Sequence, residues 1–141
     1  MAKGRNQIGA SPIGLQVRDK LTLIERIEAG FPYHMLERLQ AALAISGLEI
    51  AEAVSITPRT LTRRKKEGRL RPEESERVLR VARLVEQATR FHDGDLGPAR
   101  SWLKSPKRAL GGRTPLEMAR TEVGAREVEM LLGRLEHGVY S

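Results

Sequence analysis

The sequence predicts an all-α protein in two helical parts, a helix-turn-helix half followed by a smaller helical module. Three observations carry this. Hydrophobic residues make up 40% of the chain but aromatics only 4%, so the core must be Leu, Ile, Val and Ala, and strand-like runs of β-branched and aromatic residues are absent. Apolar residues recur at helical spacing in successive segments, each bounded by start and stop residues. Residues 47–71 read as a short helix, a tight turn and a second helix that is polar and basic outside.

The chain has 141 residues, enough for one domain or two small ones packed together. It contains no cysteine, which excludes disulfides, Cys-based zinc sites and thiol nucleophiles. No signal peptide is evident, and no apolar run reaches the ~18 residues a membrane span needs, so a cytoplasmic protein without a membrane partner is expected. The net charge is +7, and residues 57–71 hold seven Lys/Arg against one Glu. Cationic excess concentrated on the second helix of the pair and just after it, rather than mixed with acids as in residues 72–95, points to operator DNA as a partner.

Residues 1–18, with Lys3, Gly4, Arg5, Gly9, Ser11, Pro12 and Gly14, lack periodicity and read as a disordered basic arm. Asp19 caps a helix over 19–29 with Leu23, Ile24 and Ile27 as its stripe, and Gly30 stops it. Pro32 starts a second helix in which Leu36, Leu39 and Leu43 recur, and Gly47 ends it. Ile50, Ala51 and Val54 face inward from the first helix of the pair, and Ser55, Ile56 and Thr57 make the turn. Thr57 is then an N-cap and Pro58 the first helical residue, where its missing N–H costs nothing. Leu61 points to the core, leaving Arg59, Thr60, Thr62, Arg63 and Arg64 on the outer surface.

Pro72 opens the longest helix, about 72–92, with Glu73, Glu74 and Glu76 near its positive end. Val78, Val81, Ala82 and Val85 lie on one face, and Leu79, Leu84, Ala88 and Phe91 widen it until the helix must be covered on two sides. The break comes at residues 92–98. Two turns carrying Trp102 and Leu103 follow, then a single turn from Ser105-Pro106 ended by Gly111-Gly112. Trp102 reads as core. Thr114-Pro115-Leu116-Glu117 is a capping box. Thr121 caps a last helix of about 122–137 with Val128, Leu131, Leu132 and Leu135 inward, and Gly138 ends it.

Catalysis finds little support: there is no P-loop, and no paired carboxylates stand beside a histidine. His34, His92 and His137 are too scattered to ligate a metal, and no cofactor is expected. Exposed Val139 and Tyr140 past a glycine stop are unusual for a tail without a partner.

The string Gly112-Arg113-Thr114-Pro115-Leu116-Glu117, then Thr121-Glu122 and Gly124-Ala125, then Val128-Glu129, Leu131-Leu132-Gly133-Arg134-Leu135-Glu136-His137-Gly138-Val139-Tyr140, with Trp102-Leu103-Lys104 and Pro106 upstream, resembles the toxin-binding domain of RES–Xre antitoxins. Arg59-Thr60-Leu61, the basic helix, Pro72 and Ser75 are similar to that family's Xre/Cro-like helix-turn-helix half. Two positions depart from the usual motif: Ser55 stands where glycine is common, and Arg64 where a core apolar residue is usual.

The resemblance implies an antitoxin, not an enzyme, that blocks a cognate RES-domain toxin degrading NAD and represses its own operon as a homodimer. It implies a helix-turn-helix and dimerisation domain over 19–90 and a toxin-binding domain over 91–141. The DNA-facing candidates are Arg59, Thr60, Thr62, Arg63, Arg64, Lys66 and Arg69, with arginines early in the helix at base edges and later cations at phosphates. The toxin-facing candidates carried over are Arg134, His137, Gly138, Val139 and Tyr140. The alternative is a stand-alone transcription regulator whose C-terminal part serves dimerisation or ligand sensing.

Overall fold

A computed structural model describes residues 8–138. Among them are a short antiparallel hairpin and eight α-helices. The hairpin was not expected. Strands β1 (Ile8–Ala10) and β2 (Leu15–Val17) pair with Ile8 opposite Val17 and are joined by a 3-10 turn over Ser11–Ile13. Residues 8–17 are therefore folded where a disordered arm over 1–18 was expected; residues 1–7 lie outside those described. Ala10, Ile13, Leu15 and Val17 are all buried. These few apolar side chains, in a segment otherwise Gly-, Ser- and Pro-rich, find their cover on the next helix and on two helices further along the chain.

Helix α1 (Lys20–Ala29) starts at Asp19, whose carboxylate accepts the Thr22 N–H at 2.8 Å. That bond holds the Asp19 carboxyl below its ordinary value. Leu23 is buried and Ile27 half-buried, whereas Ile24 points to solvent, so the inward stripe is narrower than expected. Helix α2 (Tyr33–Leu43) buries Met35, Leu36, Leu39 and Leu43. It ends earlier than Gly47, at Ala44 in the left-handed region (φ 54). Gly47 instead opens α3 (Gly47–Ala53), because Ser46 and Glu49 close a capping box around it.

Helix α4 (Pro58–Glu67) follows the turn, and α5 (Pro72–Phe91) runs through the centre of the molecule. Nine of its residues are buried, Val78, Leu79, Val81, Leu84 and Val85 among them. Helices α1, α2, α6 (Leu96–Leu103), α8 (Glu122–Glu136) and the hairpin all pack on it, which is why its apolar girth is so wide. Its Ser75 is fully buried and fully bonded. The hydroxyl accepts the Phe31 N–H and donates to the Arg71 carbonyl, each at 2.8 Å.

Long cationic side chains tie helices to one another, three of them across the two halves, through helix C-termini, whose last carbonyls lack intrahelical donors. From α6, Arg100 Nε donates to Ala42 O at 2.7 Å and Lys104 Nζ to Leu43 O at 3.2 Å. From α5, Arg77 Nε reaches Val54 O at the end of α3, at 2.9 Å. One turn on, Arg80 donates through Nε and Nη2 to the carbonyls of Ala119 and Arg120, both at 2.9 Å. These cations belong to the scaffold, although composition alone would count them toward a nucleic-acid surface.

Between α6 and α8 the chain makes a 3-10 turn over Arg108–Leu110 and the short helix α7 (Pro115–Met118). Thr114 and Glu117 exchange side chain-to-backbone bonds at 2.8 and 3.0 Å. Thr121 then caps α8 by accepting the Gly124 N–H at 2.9 Å. A Cβ at Gly124 would lie 1.9 Å from the Met118 carbonyl oxygen, so only glycine lets α8 turn this closely beneath α7. Trp102 is half-buried, with the Lys107 ammonium 4.7 Å from its ring centre. Partial burial pushes that ammonium's pKa down.

Candidate functional site

The turn between α3 and α4 is sharp because Ser55 takes a left-handed conformation (φ 54). Glycine would adopt it without a Cβ penalty, and serine tolerates it at modest cost. Ile56 is buried beneath the turn and its N–H reaches Ala51 O at 3.0 Å. Thr57 accepts the Thr60 N–H at 3.1 Å and so starts α4. With Leu61 buried on the inner side, Arg59, Thr62, Arg63 and Lys66 fall at i, i+3, i+4 and i+7 and are all exposed. They make one continuous cationic face without an acidic residue. Arg59, Arg63 and Lys66 have no side-chain partner among the described residues.

Three candidates do not join that face. Arg64, expected outside, is only 7% exposed. Its Nε donates to Glu74 Oε1 at 2.8 Å and its Nη1 to Glu67 Oε1 at 3.2 Å. The physical reason is position: three residues beyond Leu61 the helix faces the core again, and only a carboxylate there makes a guanidinium tolerable. Burial by itself would raise the Glu74 carboxyl. The Arg64 bond, the Arg71 N–H at 2.8 Å and the charges of Arg64 and Arg77 outweigh it and hold the group below its ordinary value.

Arg69, also expected at DNA, lies beyond the end of α4 and turns back to donate to Gly30 O. Thr60 is half-buried, its hydroxyl accepting from Thr57. Lys65 sits on the flank, 3.8 Å from Glu37.

Helix α8 offers a second outward face. Its core side is Gly124, Ala125, Val128, Leu131 and Leu132. Opposite them stand Val123, Glu127, Met130 and Arg134, all exposed, with Arg126 and His137 beside the row. Val123 is 75% exposed and Met130 46%. Periodicity assigned the inner stripe and passed over these two, because an apolar residue off the core side has no local signature. Arg134, His137 and Gly138 continue the same end of the helix, with Gly138 left-handed (φ 67). Val139 and Tyr140 lie outside the described residues.

Elsewhere the surface offers less. Leu48, Ile56 and Pro58 line a shallow hollow of about 470 Å³ beside the start of α4. A cleft of about 660 Å³ between α5 and α8 mixes Glu76, Arg83, Arg126 and Glu129. Both signs line it, and no apolar wall excludes water. Among the described residues no group of three or more His, Asp or Glu is placed to hold a metal ion, and no helix is long and apolar enough to cross a membrane.

Comparison with known proteins separates the same two parts. Residues 22–83 match the antitoxin Xre-like helix-turn-helix domain, and residues 87–138 match the antitoxin Xre/MbcA/ParS C-terminal toxin-binding domain. A protein named antitoxin Xre from Yersinia enterocolitica is 41% identical over 130 residues, covering 92% of this chain and 88% of its own length. Another antitoxin Xre, from Photorhabdus laumondii, is 34% identical over 116 residues, covering 82% and 78%. In fold, this molecule is similar to a chain in the crystal structure of the M. tuberculosis MbcT–MbcA toxin–antitoxin complex. The TM-score is 0.58 at 21% identity, covering 77% of this chain and 96% of that one.

Proposed function

Since the chain belongs to the antitoxin Xre family, we propose that it neutralises a RES-domain toxin that degrades NAD, and represses its own operon as a homodimer. The observation that carries this reading is the pairing of a toxin-binding domain over 87–138 with a bare cationic helix on a helix-turn-helix. The RES identity and the NAD chemistry rest on the sequence resemblance over 98–140. A stand-alone regulator would leave the toxin-binding domain without a role.

The mechanism is occlusion rather than chemistry. On the operator, Arg59 and Arg63 occupy the first two turns of α4, from which a guanidinium can reach two guanine acceptors in the major groove. Lys66, a turn later, meets phosphate, and Thr62 stands between them. Two copies related by a two-fold axis would set half-sites about one helical turn apart. On the toxin, residues 134–140 cover the substrate site. Arg134 and His137 stand together at the end of α8. Arg64 takes no part in base contact; it sets how α4 projects.

Co-expression with the product of the adjoining open reading frame tests the reading. The full chain is expected to restore cellular NAD and growth, and a gel shift with the upstream promoter to show retarded DNA. Removal of residues 138–141 is expected to abolish neutralisation and leave the gel shift intact. NAD loss that continues in the presence of the full chain overturns the proposal.

A further inference from the structure

We propose that two copies of this chain join through the outward face of α1. The helices cross antiparallel about a two-fold axis at Ile24, so that Lys20 of each copy meets the partner's Glu28. The inference rests on the homodimer reading above and gives that dimer its surface.

Helical spacing assigns Ile24 to the inward stripe of α1, yet it is 49% exposed, and Leu21, one turn before it, is 66% exposed. Among the described residues they are the one pair of exposed large apolar side chains within a single helical turn. Lys20, Leu21, Ile24, Glu25 and Glu28 make up the outward face, and every one is exposed. The helix does not need the apolar pair for its own seat. Leu23 and Ile27 point inward, and α1 packs on α5 and the hairpin. An apolar pair kept in water on a seated helix fits burial against a partner.

The charges around the pair decide which partner. They run against the dipole of α1: Lys20 stands in its first turn, where no helical residue is acidic, and Glu28 stands near its end. Arg26, the cation of the last turn, falls on the opposite side of the helix from Ile24. Neither Lys20 nor Glu28 has an ion-pair partner among the described residues. Within one copy they lie about 12 Å apart along the axis, too far to pair. A second α1 laid antiparallel removes both faults, because positions 20 and 28 are equidistant from 24. Lys20 then faces a carboxylate, and the two helix dipoles run in opposite directions.

Lys20, Ile24 and Glu28 also form one i, i+4 row, the ridge that interdigitates with its like in the commonest class of helix packing. Such self-complementarity is what a two-fold interface requires, with Leu21 and Ile24 as its apolar middle. Two carboxylates beside one ammonium make DNA a poor occupant. Since α1 packs on α5 and the hairpin, joining copies here does not use the cationic face of α4. A ten-residue helix offers less than the roughly 800 Å² per side of a standard interface. The dimer is therefore expected to exchange with monomer as the chain is diluted.

Sedimentation velocity of the full chain over a wide concentration range is the test, with melting temperature as the control for folding. The parent should pass from monomer to dimer as concentration rises. Ile24→Asp should raise the dimer Kd at least about tenfold, and Leu21→Ser with Ile24→Ser should weaken it in the same direction, both folding like the parent. Lys20→Glu and Glu28→Lys should each weaken the dimer, and the two together in one chain should restore it. The chain has no cysteine of its own, so Ile24→Cys puts a single thiol beside the axis. Its copies should join by a disulfide under mild oxidation, whereas Leu48→Cys, at a position as exposed, should not. Ile24→Asp that dimerises like the parent, a charge exchange without rescue, or Ile24→Cys that cross-links no faster than Leu48→Cys overturns the inference alone. So does Ile24→Asp that still dimerises but no longer binds the product of the adjoining open reading frame, which would give the face to the toxin. A parent chain that stays monomeric at every concentration overturns the homodimer reading and this inference with it.

Discussion

The outward faces of α4 and α8 use the same helical spacing for opposite chemistry. On α4, Arg59, Thr62, Arg63 and Lys66 make a face of one sign with no apolar member. On α8, Val123, Glu127, Met130 and Arg134 alternate apolar groups with both signs. A uniform row of charge is attracted to a polyanion at many registers and loses strength with salt. A mixed row with apolar knobs fits one complementary surface and depends little on salt.

The inner faces differ as well. Helix α8 is seated mainly by apolar packing, with only Gln87 on the Glu129 carbonyl and an Arg80–Glu122 pair added, whereas α4 is seated in part by a buried guanidinium and carboxylate. Apolar packing tolerates small slips. A hydrogen-bonded ion pair fixes an angle, and a helix that must enter a groove needs its angle fixed.

The sharpest way to break this contrast is at Arg64. Replacing it with Ala leaves Glu74 buried beside the start of α5 with one of its partners gone, and urea denaturation is expected to show a loss of about 3–5 kcal/mol. Arg64→Met combined with Glu74→Met should recover most of the stability, while operator affinity stays reduced because the directional bond is missing. A single variant as stable as the parent would mean the pair does not hold α4.

The same pair predicts a pH dependence. Glu74 titrates lower in the folded protein than its ordinary 4.5. Its contribution is therefore fully present above that ordinary value and is lost as pH falls through the lower folded value. Glu74→Gln should remove that part of the acid-side decline in stability.

A middling effect is expected on the outer face. Arg63→Ala should weaken operator binding by about 1–3 kcal/mol and relax preference at one base pair. Lys66→Ala should weaken all sequences alike and lower the slope of log affinity against log salt by about one. Equal salt slopes for both variants and the parent would remove the distinction between base and phosphate contacts on this helix.

The smallest effect belongs to the Lys65–Glu37 pair, which is solvent-exposed at 3.8 Å. Glu37→Gln should change stability by no more than about 0.5 kcal/mol. A larger loss would show that α4 is also held from its flank.

What the sequence by itself determined was most of what is decided within about four residues. Asp19, Thr57 before Pro58, Thr114 with Glu117, and Thr121 each start a helix where their spacing says they should, because a cap and its backbone partner are local. The girth of α5 was equally plain, since its apolar residues had to be covered on more than one side.

Tertiary structure alone decided the rest. The hairpin over residues 8–17 exists because the turn carrying Ile13 finds cover on α2 and α5, remote in sequence, while β2 packs on the neighbouring α1. Arg64 turns inward because Glu74 is waiting ten residues on, and Arg69 turns back to Gly30. Arg77, Arg80, Arg100 and Lys104 serve as caps for carbonyls 23 to 61 residues away. A cation's sequence neighbours say only that it is charged; whether it meets water, phosphate or a helix end depends on what the fold brings to it.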